Sequence, residues 1–598
     1  MMKSLCRTAV AAILGCLVAG CGQHARFGSD PAIDYPTNHT VQPIVLPGKY
    51  GGTMTGTFAG EPKTLNIWIA DDADSSGLDG EFFDSLEGRD AFTLKYVPRL
   101  ANLPQISADG LTYTYTLRAG LKWSDGVPIT TDDVIFTLQV IFDPNIQTPM
   151  REGMLVDVNQ PDGTVKRLPF KWVKVDQRTI KFILPVKWAP AEEMFGFPIA
   201  PKHSLEGIYK SGGFNSALDL DTPPSKIAFS GPYMMGSYVP GQRIVLVRNP
   251  LFWRYSNGQH LPYIDRFNYL IVPDSNAMVL NFRGGGSDTL TIPNLQYPTI
   301  AEYAHRDNYT VVSLGPNWGF SYLSFNLNPH SKIDPRLLKI FSDLRFRQAC
   351  SYAIDRQSIC DDLLLGLSHP LYSPETPADV VFYDPHVRRY PYDPAKSRQL
   401  LLSMGMTQGP NGKLLYKGAP VTFNILTDTE SASSKVLATV VADDLRAVGI
   451  DAQFTAITFD DLCTRLQSPP YDWQAHILGF TGGPEPNDGA DLWRSSGSSH
   501  VWWPMQKSPA TPWELRINQD FTNGAHELEL AKRKKYYDDW QETLGNEQPM
   551  IFLTCGDQFS AVRNHFGNIE PSSLEGLGGD VYWNLEEIYN THAARLTP

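Results

Sequence analysis

The sequence predicts an α/β protein of several domains, on three observations. Residues 436–454 read as a helix running straight into a strand. Val436, Leu437, Val440, Val441, Leu445 and Val448 share one helical stripe, Gly449 can supply a left-handed cap, and Ile450, Ala452 and Phe454 alternate. Residues 112–142 read in the opposite order, strand then helix. The third observation is length: 598 residues exceed one core, and about 150 residues per domain gives about four units.

The first strand covers 112–118, with Tyr113, Tyr115 and Leu117 on one face and threonines on the other. Turns at Ala119-Gly120 and at Ser124-Asp125-Gly126 flank Trp123. Thr130 and Thr131, with Asp132 and Asp133, then cap and charge a helix whose apolar face carries Val134, Ile135, Leu138, Ile141 and Phe142. Further helices are predicted over 345–360 and, strongly charged, over 527–544. The run from Arg283 to Ser287 is glycine-rich, but 288–292 after it reads as a strand, not as a phosphate-binding helix start.

The beginning of the chain reads as an address. Lys3 and Arg7 precede a short apolar core over 9–20, and Leu17-Val18-Ala19-Gly20-Cys21 resembles a bacterial lipobox, with Cys21 as the lipid-attachment point. An ordinary secretory signal with an incidental cysteine is the alternative. Two or three acyl chains anchor stably where one does not. Residues 1–20 are thus expected to be a signal peptide and 21–47 a tether punctuated by Pro31, Pro36, Pro43 and Pro47. Beyond the address no apolar stretch reaches about 18 residues. Cys350, Cys360, Cys463 and Cys555 remain; the first two, placed on one helix, stand about 15 Å apart, too far to bridge, and free buried thiols are expected.

Residues 107–134, SADGLTYTYTLRAGLKWSDGVPITTDDV, resemble the signature of the family 5 extracellular solute-binding proteins, the oligopeptide, dipeptide and nickel binders of ABC importers. Gly51-Gly52-Thr53 and Glu61 to Asn66 resemble the family's first strand and loop. Ala200 to His203, Ser230 to Tyr233, Arg248-Asn249-Pro250 and Trp253 resemble its return segment. Tyr322 to Asn326, Leu344 to Ala349, Ala353 to Arg356 and Tyr392 to Lys396 resemble its large C-terminal lobe. The resemblance implies a two-lobed, periplasmic-binding-protein-like fold (type II) with an additional domain inserted in the first lobe. Carried over, lobe one is 48–85, 201–315 and 548–598, the insertion 86–200, and lobe two 316–547. The chain would cross between lobes near Gly315-Pro316 and near Asn546 to Pro549, and close them by a hinge.

In peptide-binding relatives the ligand lies as an extended strand between the lobes, and a carboxylate after a glycine–aromatic segment pairs with its α-ammonium group. The corresponding segment runs from Gly479 to Asp488, and Gly483 stands where that carboxylate is expected. Three readings stay open: Glu485 or Asp488 takes the role, the solute lacks a free amino terminus, or the match shifts by a residue or two. The candidate ligand contacts are Phe480, Thr481, Gly482, Gly483, Glu485 and Asp488, with Arg494 for a ligand carboxylate and Trp502 among the nearby aromatics Trp473, Trp493 and Trp503.

The formal charge of −13 and the lack of a basic run exclude nucleic acid. No HExxH, GxSxG, CxxC or nucleotide-binding loop occurs, and no histidine pair has helical metal-ligand spacing. No catalytic residue, metal or cofactor is therefore expected. The expected partners are a peptide or other small solute, an ABC permease complex, and the membrane through the lipid, with the chain acting as a monomer. An opine, an oligosaccharide, a metal chelate, or a chaperone or sensory role are the alternatives.

Overall fold

The computed structural model describes residues 45–70, 72–159, 165–429, 431–497, 499–570, 572 and 581–592. Cys21 and the address before it lie outside the described residues. No helix of the described residues is long and apolar enough to cross a membrane.

Two sheets form the first lobe. One has four strands in the order Thr53–Phe58, Arg266–Ile271, Arg243–Arg248, Tyr233–Val239, the first pair parallel and the others antiparallel. The other is built around Thr554–Arg563, which pairs with Thr289–Thr291, Tyr309–Pro316 and Ser368–Pro370. The strand Thr289–Thr291 after the glycine-rich turn is thus a sheet member, as its sequence predicts.

A separate β-rich layer stands between Phe58 and Tyr233. Its sheet runs Gln105–Ile106, Thr112–Thr116, Thr179–Ile183, Lys171–Lys174, and a hairpin of Leu155–Asn159 with Val165–Pro169 projects beside it. Tyr113, Tyr115 and Leu117 are buried as the alternation requires, and Trp123 is fully buried. The helix Thr131–Phe142 starts with a capping box: Thr130 and Asp133 satisfy each other's backbone N–H groups.

The second lobe is one five-stranded sheet, ordered Asp451–Ile457, Thr422–Asp428, Ala475–Thr481, Gly319–Phe325, Met550–Phe552. Successive side chains of Gly319–Phe325 serve opposite faces. Leu323 and Phe325 join a core with Phe346 and Leu445, while Phe320 and Tyr322 join a second core with Trp493 and Trp540. The helix Ala432–Ala447 covers this sheet and ends before Gly449, whose φ of +100° needs glycine. Val436 and Phe454 depart from the predicted stripe and alternation, being 41% and 37% exposed. Phe454 lies on the edge strand of the sheet.

Two details correct the sequence reading. The helix predicted over 345–360 is two: Leu344–Ala353 ends, and Asp355 caps a new start by accepting from Ser358 N–H. Cys350 and Cys360 thus sit on separate helical segments; both are free and buried, as is Cys555, while Cys463 is half-buried and free. The second crossing falls at Leu553, not near Asn546 to Pro549, because Met550–Phe552 still pairs with the second-lobe sheet and Thr554–Arg563 with the first. The glycine and proline signals there mark a helix end: Leu530–Glu547 stops at Gln548, which takes a left-handed φ of +51°. The other crossing occurs at Asn317-Trp318, just after the bulge at Leu314 and next to the Gly315-Pro316 pair expected from sequence. The two crossings touch, with Asn317 N–H donating to Gly556 C=O at 2.8 Å and Leu553 N–H to Ser321 C=O at 2.9 Å.

Candidate functional site

A cavity of about 720 Å³ lies between the inserted layer and the second lobe. Arg89 and Glu193 border it from the first side; Phe320, Glu375 and the segment from Phe480 to Gly489 border it from the second. It shares Glu193, Asp488 and Asp491 with a neighbouring cavity of about 870 Å³, which Trp188, Met194, Asp157 and Arg494 help to line. Together they form an extended space.

The predicted segment leaves the sheet at this cavity. Phe480 pairs in register with Phe320, and its ring stacks on Tyr322 at 5.3 Å. Gly482 N–H donates to Trp318 C=O at 3.0 Å, and a Cβ there would meet that oxygen at 2.7 Å, so the chain turns tightly only because the residue is glycine. A Cβ on Gly483 would meet nothing within 4 Å. Phe480, Thr481, Gly482, Gly483, Glu485 and Asp488 all border the cavity. Beyond His476, no described strand pairs with the edge of Ala475–Thr481 opposite Gly319–Phe325.

The charged candidates differ in what they meet. Glu485 is 3% exposed and forms an ion pair with Arg533, itself buried against Phe382 and Tyr537. It also accepts from Asn487 N–H at 3.1 Å, capping the short turn Pro486–Gly489. Asp488 keeps surface open to the cavity; its N–H donates to Glu485 C=O at 3.0 Å, but its carboxyl meets no hydrogen-bond or ion-pair partner among the described residues. The residue is exposed to the cavity, and desolvation by the cavity walls, with the charges of Glu485 and Glu193, pushes its carboxyl up to about 8.

The remaining two candidates sit elsewhere. Arg494 lines the neighbouring cavity and pairs with Asp157 of the inserted layer. Its guanidinium therefore ties the two sides of the space together. Trp502 borders neither cavity; it is fully buried, donates to Glu514 at 3.2 Å, and packs on His500 and Trp513.

Three cavity residues were not foreseen from sequence. Arg89 donates to Glu193 at 2.7 Å and to Tyr96 at 2.8 Å, so that cation and carboxylate satisfy each other. Glu375 lies in the loop after Ser368–Pro370, is 7% exposed, and opens on the cavity. Its only local signal is a pair of flanking prolines, Pro374 and Pro377, which mark a loop and nothing more. Beside it Asp379 is fully buried; one carboxyl oxygen accepts from Val381 and Phe382 N–H, and the other has no partner among the described residues. Burial raises both carboxyls, Asp379 to about 7, and their mutual repulsion raises Glu375 further. Among the described residues no group of three or more metal-ligating side chains occurs.

The family model of bacterial extracellular solute-binding proteins, family 5, matches residues 95–500. The chain belongs to that family. A probable ABC transporter-binding protein of Deinococcus radiodurans is 29% identical over 556 residues, covering 87% of this chain and 89% of the relative. The oligopeptide-binding protein AppA of Bacillus subtilis is 24% identical, covering 90% and 91%. The crystal structure of the ABC transporter substrate-binding protein CtaP from Listeria monocytogenes superposes with a TM-score of 0.72 at 22% identity, over 91% of this chain and all of that one. The fold is the type II periplasmic-binding-protein fold with the inserted domain. This family 5 protein is a substrate-binding protein of an ABC transporter and not an enzyme.

Proposed function

We propose that this family 5 protein captures peptides or peptide-like solutes between its inserted domain and second lobe and hands them to an ABC permease. The observation that carries the reading is the extended space itself: a cavity of about 720 Å³ continuing into one of about 870 Å³. Drug-sized ligands fill about 300–1,000 Å³, so a chain of several residues fits where a lone ion or amino acid would leave most of the volume empty. The unpaired edge of Ala475–Thr481 adds to this, because an extended peptide binds by backbone pairing to such an edge. The similarity to AppA, an oligopeptide-binding protein, points the same way.

The lobe boundaries that accompany this reading are about 48–85, 201–316 and 554–592 for the first lobe, 86–200 for the insertion and 319–552 for the second, apart from the strand Ser368–Pro370, which joins the first-lobe sheet. The anchor proposed is Cys21, which keeps a monomeric receptor at the membrane face. A thermal-shift titration tests the capture. A tryptic digest of an unrelated protein should raise the melting temperature in proportion to log concentration, as expected for a ligand that binds only the folded state. A shift with an oligosaccharide or a nickel–histidine chelate, and none with the digest, contradicts the reading. Loss of radiolabelled fatty acid from Cys21→Ala checks the anchor.

A further inference from the structure

We propose that Glu375, seconded by Asp488, anchors a cationic group of the solute, so that the peptides taken by this cavity are basic. The inference rests on the reading of the cavity as the solute site.

The carboxylates bordering the cavity sort themselves by partner. Glu485 is matched by Arg533, and Glu193 by Arg89. Glu375 is matched by nothing: no donor and no cation among the described residues meets its carboxyl, although the residue is 93% buried (7% exposed). The cation nearest in influence is Lys534, and that ammonium is engaged with Asp538 and with the carbonyls of Phe382 and Tyr383. Asp379 and Glu485 face Glu375 with like charge. The Asp488 carboxyl likewise meets no partner among the described residues; the acids that influence it are Glu485 and Glu193, and the cations are Arg89 and Arg533, each already committed to one of those acids.

A carboxyl held out of water without a partner is costly, and buried polar groups are paired in nearly all cases. Glu375 opens on a space large enough for a ligand, so the partner can come from there. An ammonium or guanidinium on the solute would supply both the missing charge and the missing donors. Gly483 supplies no carboxylate at the position where the family resemblance places one. Cation recognition is thereby assigned to a different loop, about a hundred residues earlier in the chain.

Calorimetry on the purified full chain tests this with two alanine-based pentapeptides of equal length, one carrying two lysines and its twin two glutamates. The lysine peptide should bind at least tenfold tighter. Glu375→Gln should abolish that preference, Glu375→Asp should keep part of it, and Asp488→Asn should reduce it. Thermal unfolding of Glu375→Gln at neutral pH should come at or above the wild-type temperature, since no protein partner is lost and an unpaired buried carboxyl is removed. Equal binding of the two peptides by the wild type, or a preference that survives Glu375→Gln, overturns the anchor while leaving peptide capture intact. If neither peptide binds but spermidine does, and Glu375→Gln abolishes that binding, the anchor stands and the peptide reading falls. Failure of all three probes overturns the anchor as well.

Discussion

Two acidic loops border the same cavity and treat their charge in opposite ways. In the loop that follows Ala475–Thr481, Glu485 is buried, ion-paired to Arg533 and used as a turn cap. In the loop that follows Ser368–Pro370, Glu375 is almost as buried and has no partner among the described residues. A charge compensated within the protein holds a loop in shape. A carboxyl left without a partner beside an open space is available to whatever enters that space.

The largest expected effect separates the two loops by stability. Glu485→Gln leaves the Arg533 guanidinium buried without its counter-ion, and breaking such a pair costs about 3–5 kcal/mol. Glu375→Gln removes no protein contact and relieves an unpaired buried carboxyl, so at neutral pH it should be as stable as the wild type or more so. Chemical denaturation of both variants measures the contrast; equal destabilisation would erase it.

Arg494 tests a different kind of compensation, across the cleft. It joins the second lobe to Asp157 of the inserted domain, and both side chains are largely buried. Arg494→Ala should cost about 2 kcal/mol of solute affinity by loosening the closed arrangement. Small-angle scattering should show a larger radius of gyration before solute is added. An unchanged radius with unchanged affinity would remove Arg494 from the account.

The pattern of legibility follows from these same residues. Strand alternation at Tyr113 and Tyr115, the capping box at Thr130, and the glycine-limited helix end at Gly449 are local, and all were readable in sequence. The cavity segment from Phe480 to Asp488 was readable because a family motif precedes it. Glu375 was not, since nothing within its own loop sets it apart from any solvent-facing glutamate. Arg89 and Glu193 lie more than a hundred residues apart and meet only through the inserted layer's topology. Trp502 shows the converse error: an aromatic beside the motif reads as a ligand platform, yet packs as core against His500 and Trp513. The second crossing slipped for a related reason, because Gly and Pro end helices as readily as they mark hinges.

Titration sharpens the comparison further. Desolvation and like charge push Asp488 up to about 8, and Glu375 is raised in the same direction. A solute cation favours the ionised form, so each group gives up its proton on binding. Affinity for a basic peptide should therefore rise with pH, by at most about tenfold per unit for each group, with the contribution of Asp488 levelling off above about pH 8. Calorimetry in buffers of different ionisation enthalpy should register net proton release at neutral pH. Proton uptake would contradict the sign.

The smallest effect concerns the vacant position. Gly483 has open space where a side chain would project, so Gly483→Asp should fold normally and add a third carboxylate near the solute. Affinity for peptides with a free amino terminus should rise by about 1 kcal/mol or less. N-acetylated peptides should show no gain.

Native mass spectrometry of freshly purified protein tests the central claim most directly, because it reads the solute that the cavity chose. The account predicts a ladder of co-purified peptide masses, several residues long and enriched in lysine and arginine, which Glu375→Gln loses. A single sugar or metal-chelate mass, or a ladder of acidic peptides, would contradict it.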